Sequence, residues 1–394
     1  MRASSERDLG AAIVGAGFAA ASHLDALRRV GGVTPRGILA SSPERSREAA
    51  ERLGVERAYG ALAEVLADDT VDVVHNCTPN HLHHTITTAS LAAGKNILSE
   101  KPLGLDMREA EDLAERARSA DPITGVCFNY RHFPLIQHLR ETIRSGTGGA
   151  VHLIHGAYLQ DWLLFEDDWN WRLESEKAGG ARAVGDIGSH WIDLVQHVSG
   201  DEVVAVCAQL ARLHSERSKP GDVRTFERSA SPAGGTRTAV DTEDAATVLL
   251  RFRSGSTGAC TISQVSAGKK NHLTIELDAA RESYAWNQEE PNVLRIGRRD
   301  EPNEELLRDP SLLAPEAASL VHYPGGHQEG WPDALRNLVL DFYALVVAHR
   351  DGAQPPARTV ATFDEALGVA RVVDAIVQSD RDRAWVDVRS EVTA

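Results

Sequence analysis

The sequence predicts an α/β protein in two parts: a parallel sheet covered by helices, then a second α/β region with antiparallel strands. Three observations predict it. A short apolar strand runs directly into a glycine-rich loop and a helix within the first thirty residues. Apolar strand-like runs then alternate with helical patterns to about residue 127, the signature of a parallel sheet with helices on both faces. Beyond residue 150, several segments alternate apolar and polar residues with no helix between them, as antiparallel strands do.

Residues 11–14 are the first strand, followed at once by Gly15-Ala16-Gly17-Phe18-Ala19-Ala20. In a G-x-G-x-x-A loop the first glycine permits the tight turn and the second lets a pyrophosphate approach the backbone. The small third residue allows close helix packing. The following helix, about residues 23–30, offers N–H groups and a positive dipole end to phosphate. Gly15, Gly17, Phe18 and Ala19 are therefore candidate dinucleotide contacts. An ordinary tight turn has the same local pattern, and the flanking strands at 11–14 and 33–40 favour the nucleotide reading. The second strand ends Ala40-Ser41-Ser42, where NAD-binding domains place a carboxylate for the ribose 2′-hydroxyl. Here that place is neutral, and Arg45 follows in the next helix. Ser41, Ser42 and Arg45 suit a 2′-phosphate, which favours NADP modestly over NAD, with Glu44 weighing against.

The alternation continues with helices at 43–54, 61–67, 81–93 and 107–119 and strands at 71–77, 96–99 and 123–127. Ligands of such sheets gather at the carboxyl ends of the strands. One of these ends carries His75, His81, His83 and His84 around Thr78-Pro79-Asn80. No acidic or cysteine partner stands at metal-ligand spacing, so no metal is expected, and Thr78 and Asn80 are candidate nucleotide contacts. Another carries Glu100-Lys101-Pro102. Pro102 fixes the chain as it leaves the sheet, and a lysine held there can stabilise a developing alkoxide. A surface lysine beside a glutamate is the plainer alternative.

Further on, Asp186, His190, Asp193 and His197 recur three or four apart beside apolar Ile187, Trp191, Leu194, Val195 and Val198. That spacing predicts one helix with a polar stripe, stopped at Gly200. A carboxylate one turn before an imidazole can orient it, and histidine is the usual general base near neutral pH. A capped amphipathic helix with a solvated face would show the same stripe.

In this order, the glycine loop, Thr78-Pro79-Asn80-x-x-His83, Glu100-Lys101-Pro102 and Asp186-x-x-x-His190 resemble the Gfo/Idh/MocA oxidoreductases. Phe128-Asn129-Tyr130-Arg131 and the late Thr362-Phe-Asp-Glu-Ala366 are similar to that family too. The resemblance implies a Rossmann domain over 1–130, and over 131–394 a substrate-binding and oligomerisation domain with a large, mostly antiparallel open sheet. The last helix and strand, 361–388, are placed to return towards the first domain. It also implies Lys101, Asp186 and His190 as the catalytic set. Cofactor contacts are implied at His83, Glu100, Lys101 and Asn129, and at Trp171 and Arg172.

After a helix at 135–144 and a strand at 151–159 comes Gln160-Asp161-Trp162, in a stretch with three tryptophans that ends at Trp171-Arg172. Aromatic faces beside carboxylates and amides suit a polyhydroxylated ring; an aromatic packing loop is the alternative. These residues resemble the levoglucosan dehydrogenase branch of the family. Candidate substrate contacts are Lys101, Tyr130, Gln160, Asp161, Trp162, Arg172, Asp186 and His190. Tyr323 and His327 join them from the glycine-permissive loop 322–331. Strands are expected at 202–213, 245–253, 258–265, 271–277 and 384–388, and helices at 333–349 and 363–378. Residues 214–244 form a long polar loop, as a lid, an oligomer arm or an excursion, and 291–312 reads as charged and irregular.

Composition sets the outer bounds. A net charge of -15 argues against nucleic acid or an anionic membrane as partner. No run of about 18 apolar residues is present, and the polar start followed by only four apolar residues is no signal-peptide core. The four scattered cysteines read as reduced thiols of a cytoplasmic protein. The expectation is an NAD(P)-dependent dehydrogenase, a homodimer or homotetramer, acting on a secondary hydroxyl of a sugar, anhydrosugar, glycoside or cyclitol. Its rivals are a glycoside-cleaving enzyme with tightly bound NAD and a non-enzymatic sensor of the same fold.

Overall fold

The computed structural model describes residues 8–220, 236–357 and 359–388. They fall into two units: one comprises the chain through Cys127 together with Leu335–Ala366, the other Phe128–Ala334 with the residues from Leu367 on.

In the first unit, six strands pair in parallel: β1 (Leu9–Val14), β2 (Val33–Leu39), β3 (Arg57–Tyr59), β4 (Val73–Asn76), β5 (Asn96–Ser99) and β6 (Thr124–Val126). Their order is β3-β2-β1-β4-β5-β6, so strand order reverses between β1 and β4, where open α/β sheets take their ligands. Every residue of β1 and β4 is buried, as strands covered on both faces require. The edge strand β3 escapes sequence reading because three residues, one of them an exposed arginine, are too few to show a period. Gly15 has φ 123°, and a Cβ there would stand 2.3 Å from the Cys77 carbonyl oxygen. Only glycine fits on both counts.

Register is shared across four of these strands: Val14 pairs with Asn76, Asn76 with Ser99, and Ser99 with Val126. The chain therefore leaves the sheet at one level, at Gly15, Cys77, Glu100 and Cys127. The outer edge of β6 does not stay open. Val126 N–H donates to the Ala361 carbonyl at 3.0 Å, and Gly125 lies so close to Val360 and Phe342 that a Cβ would meet them at 2.8 and 3.0 Å. A returning segment thus covers an edge that would otherwise offer itself for pairing.

The second unit holds β7 (Val151–Leu159), β8 (Val203–Ala211), β9 (Glu216–Lys219), β10 (Thr236–Ala239), β11 (Ala245–Phe252), β12 (Thr257–Ser263) and β13 (His272–Ala279). After these come β14 (Glu282–Asn287), β15 (Val293–Arg298), β16 (Glu304–Leu307) and β17 (Val386–Asp387). Nine of them form one sheet in the order β16-β15-β14-β13-β7-β12-β11-β8-β17. Its pairs are antiparallel except β7 with β12, which is parallel. The expected irregular stretch 291–312 is a correction, since it contains β15 and β16. Their charges pair across strands, Arg295 with Glu305 at 3.1 Å and Arg298 with Glu304 at 2.7 Å, so charge density hid the alternation. In the polar stretch 214–244, β9 and β10 pair antiparallel; residues 221–235 lie outside the described residues.

The helix with the polar stripe is Ser189–Ser199, entered through a π-helical turn at Val184–Gly188 and closed by left-handed Gly200. Trp191, fully buried, donates its indole N–H to the Thr274 carbonyl at 2.9 Å. A Cβ at Gly188 would meet Ile262 at 2.6 Å, so helix and sheet touch where the glycine stands. Among the described residues no helix is long and apolar enough to cross a membrane.

The polar stripe divides in two. Asp193 is 1% exposed and holds Arg131 through paired bonds of 2.8 and 2.6 Å. His197 packs beside it with a ring nitrogen 2.9 Å from the Gln137 amide, and burial first, then Arg131 and Arg140, push its pKa well below the usual value. These two residues are structural. Removing one partner of such a buried pair strands the other charge, so Asp193→Asn is expected to lower unfolding free energy by about 3–5 kcal/mol, read from urea denaturation.

Candidate functional site

The residues singled out from sequence fall into two groups, one in each unit. In the first unit they line the carboxyl edge of the sheet. The helix Phe18–Arg28 starts at Gly17, and no side chain caps it. Arg52 donates to the Ala16 carbonyl at 2.9 Å and steadies the loop. A Cβ at Gly17 would meet nothing within 4 Å. Protein packing therefore does not demand glycine there, whereas close approach of a pyrophosphate does. At the end of β2, Ser42 caps the next helix by accepting from Arg45 N–H at 3.2 Å. The exposed Arg45 guanidinium lies 3.4 Å from the Ser41 hydroxyl, and Glu44 is taken up by Arg47 at 2.9 Å.

The loops after β4 and β5 are tied together. Thr78 donates its hydroxyl hydrogen to Asn76 at 2.7 Å. His83, fully buried, points one ring nitrogen at the Pro102 carbonyl (2.7 Å) and the other at the Thr78 carbonyl (2.9 Å). Burial pushes its pKa down while those carbonyls pull the other way. His83 thus spends both nitrogens on holding the turns that carry Thr78 and Lys101. Lys101 is half-buried, its N–H accepted by the Glu100 carboxylate at 3.2 Å, and the Lys101–Pro102 bond is cis. Asn80 opens a single helical turn, Asn80–Leu82. His84 pairs with Asp112 at 2.6 Å.

In the second unit His190 is 8% exposed and boxed by aromatic rings. Tyr130 stands edge-on at 4.9 Å between centroids, Phe128 edge-on at 5.6 Å, and Tyr158 tilted at 6.4 Å. One turn before it, Asp186 has both carboxylate oxygens engaged. Arg172 donates to one at 3.0 Å and Gln264 to the other at 2.9 Å. The same Arg172 guanidinium lies over the Trp171 ring at 4.5 Å. A hydrogen-bonded chain leads away from the histidine box: Tyr130 and Tyr158 hydroxyls at 2.7 Å, then Tyr158 to Asn271 at 2.6 Å. It goes on from Gln160 to Asn271 at 3.1 Å and from Trp162 to Gln160 at 2.8 Å. Burial pushes the Tyr130 phenol up to about 12 and Tyr158 well above its usual value, so both phenols keep their protons near neutrality. Asn129 is buried, and its amide nitrogen has no partner among the described residues.

Sequence reading thus picks out His190, Asp186, Arg172, Tyr130, Gln160 and Trp162, which the fold brings into two linked sets. It missed Tyr158, Asn271 and Gln264. Tyr158 stands two residues before Gln160, a spacing that puts both on one strand face; Asn271 and Gln264 carry no local signal. The tryptophans part company. Trp169 packs with Leu163, Leu173 and Val240 in a small apolar cluster against which Trp162 rests. Asp161 is held by Lys270 at 2.7 Å. Tyr323 and His327 are exposed on their loop, outside the chain around His190. That loop is pinned by Glu329, which accepts from the backbone of His322 and Tyr323, both at 2.8 Å.

Known family models match both parts of the chain. A family model described as "Oxidoreductase family, NAD-binding Rossmann fold" matches residues 9–128, and the "GFO/IDH/MocA C-terminal domain" matches 136–283. The chain is 29% identical to levoglucosan dehydrogenase of Pseudarthrobacter phenanthrenivorans over 89% of its own length and 88% of that protein. Among solved structures, an oxidoreductase domain protein from Kribbella flavida superposes with a TM-score of 0.86 at 30% identity, covering 98% of this chain and all of that one. Levoglucosan dehydrogenase in complex with NADH and levoglucosan gives 0.86 at 26% identity, with the same coverage.

Gly17 offers a clean check on the glycine loop. Because its Cβ position faces open space, Gly17→Val is expected to leave the unfolding midpoint of the ligand-free protein unchanged. The same change should weaken NAD(P)H binding, followed by nicotinamide fluorescence, by about tenfold or more.

Proposed function

The chain belongs to the Gfo/Idh/MocA family of NAD(P)-binding oxidoreductases, and we propose that it oxidises a secondary hydroxyl of a sugar, anhydrosugar, glycoside or cyclitol. The observation that carries this reading is His190 in its aromatic box, one turn after an Asp186 held at both oxygens. The nicotinamide supplies one thing when bound: it exchanges a hydride with the substrate carbon. The remaining tasks fall to side chains. His190 takes the proton of the substrate hydroxyl as general base. Lys101 is proposed to stabilise the negative charge that develops on the substrate oxygen. Asp186 orients the basic group and is itself oriented by Arg172 and Gln264. The protonated phenols of Tyr130 and Tyr158, with Asn271, Gln160 and the Trp162 indole, form a wall of donors and acceptors suited to several hydroxyls on one ring. The relative solved with levoglucosan bound supports a pyranose-like substrate. No step in this scheme calls for a metal ion.

Gly15, Gly17 and the helix start at Phe18 would take the pyrophosphate, with Ala19, Thr78, Asn80, Glu100 and Asn129 around the rest of the dinucleotide. Trp171 and Arg172 are proposed to contact it as well. At the adenosine end the neutral Ala40, the exposed Ser41 and the neighbouring Arg45 support NADP over NAD by a small margin. No carboxylate stands at the strand end to repel a 2′-phosphate and Glu44 is paired with Arg47, although the relative named above is solved with NADH. The active species is proposed to be a homodimer or homotetramer.

A panel of sugars, anhydrosugars and inositols, with either cofactor and absorbance at the NAD(P)H band as readout, tests the reaction class. Net NAD(P)H formation with one of them supports the dehydrogenase. Release of an aglycone without net reduced cofactor would instead identify glycoside cleavage by transient oxidation. Lys101→Ala, with the fold intact, is expected to lose on the order of a hundredfold or more in turnover while cofactor affinity changes little; near-normal turnover removes Lys101 from the mechanism. For the cofactor, kcat/KM with NADP should exceed that with NAD in the wild type. Arg45→Ala should lower only the NADP value, by about tenfold, and Ala40→Asp should reverse the preference. A loss shared equally by both cofactors would show that Arg45 does not read the phosphate.

A further inference from the structure

Metal-ligating side chains lie together in the first unit, among them Glu100, proposed above as a dinucleotide contact. Because Asn76, Ser99 and Val126 are in register, the residues that follow them, Cys77, Glu100 and Cys127, leave adjacent strands at one level. His23, fully buried on the helix Phe18–Arg28, reaches Glu100 and Cys127. Its Nε2 stands 3.2 Å from Glu100 Oε1 and 3.5 Å from Cys127 Sγ. Ligand atoms of His23, Glu100 and Cys127 all fall within 4.8 Å of one another.

We propose that His23, Glu100 and Cys127 form a three-ligand binding site for a zinc-class divalent cation, with the fourth position left to solvent. One nitrogen, one carboxylate oxygen and one sulfur are a borderline-soft donor set, which suits zinc and disfavours magnesium or calcium. A tetrahedral zinc, with bonds of about 2.0–2.1 Å to nitrogen and oxygen and about 2.3 Å to sulfur, sets N···O near ~3.4 Å and N···S near ~3.6 Å. The observed 3.2 and 3.5 Å need only a few tenths of an ångström of adjustment.

The surroundings are those of a ligating histidine. His23 Nδ1 stands 2.9 Å from His75 Nδ1, and His75 Nε2 stands 3.0 Å from the Tyr343 hydroxyl, so a buried chain fixes the ring. Outer partners of this kind orient metal-bound imidazoles. The ligands come from the ends of the adjacent strands β5 and β6 and from the helix after β1, so the ion would act as a clip across the carboxyl edge of the sheet. The other oxygen of Glu100 accepts from Lys101 N–H, and the clip therefore bears on the turn that carries Lys101. It takes no part in hydride transfer.

The test uses the full-length protein after exhaustive chelation, titrated with cobalt(II) as the spectroscopic probe for zinc. The expected result is about one ion per chain, with visible bands of a tetrahedral site and a thiolate-to-cobalt charge-transfer band, both displaced by zinc. Thermal unfolding should shift upward with either ion. Cys127→Ser, folded by circular dichroism, should lose the charge-transfer band, while Cys207→Ser on β8 loses none. His75→Phe should weaken binding by about ten- to a hundredfold. Absence of stoichiometric uptake by the wild-type protein overturns the proposal, whatever the variants do. So does a charge-transfer band that survives in the folded Cys127→Ser protein.

Discussion

A carboxylate shut away from water must have every lone pair answered, and in the second unit that carboxylate is Asp244. It is fully buried, and one oxygen takes the guanidiniums of Arg182 and Arg217, both fully buried as well. The other accepts from the backbone N–H groups of Leu213 and His214, at 2.7 and 3.1 Å. Burial raises its pKa, and Arg182, the His214 N–H and Arg217 outweigh that and hold it below the usual range. Charges so placed are costly to desolvate and hold only with such geometry. What the arrangement secures is position. Arg217 also donates to the carbonyls of Leu163 and Phe165, which sets the course of the tryptophan-rich loop. Arg182 also donates to Gln264, which donates to Asp186. The neighbouring Glu243 accepts from the backbone of Arg182 and Val184, fixing the π-helical turn that presents Asp186. One buried anion thus governs both the aromatic loop and the carboxylate beside His190.

That network explains which parts of the protein could be read from sequence. The first sheet was legible nearly strand by strand, because its runs are apolar and its turns carry glycine and proline for steric reasons local to each. Asp186 and His190 stand out in the sequence because they fall four residues apart on one polar stripe beside apolar positions. What the spacing did not show is that Asp193 and His197, on the same stripe, answer Arg131 and Gln137 instead. Such pairings join residues some sixty positions apart. Asn271 lies 111 residues from the Gln160 it binds, and Arg217 sits in a stretch that composition left open as a lid, an oligomer arm or an excursion. Burial of polar side chains is decided by distant partners, and a sequence window contains only one of the two. The cysteines looked scattered for the same reason: only the shared register of β4, β5 and β6 places Cys77 and Cys127 at one level.

Residue identity at the glycines separates two causes that sequence alone merges. Gly15 and Gly188 are glycine because the protein's own atoms leave no room. Gly17, in the same loop as Gly15, has open space before it and normal backbone angles. Only the second kind carries information about what the protein binds.

The segment that covers β6 belongs to the first unit, yet it is separated from Cys127 by roughly two hundred residues of the second. At a synthesis rate of about 5–20 residues per second, the edge of β6 emerges roughly 12–47 s before Val360 and Ala361 exist to close it. During that interval a nascent chain carries a paired sheet with one bare edge, open to any other extended segment nearby. The order in which this chain is made therefore differs from the order in which its parts can be completed. Neither unit corresponds to a contiguous stretch that could be cut out, exchanged or duplicated intact.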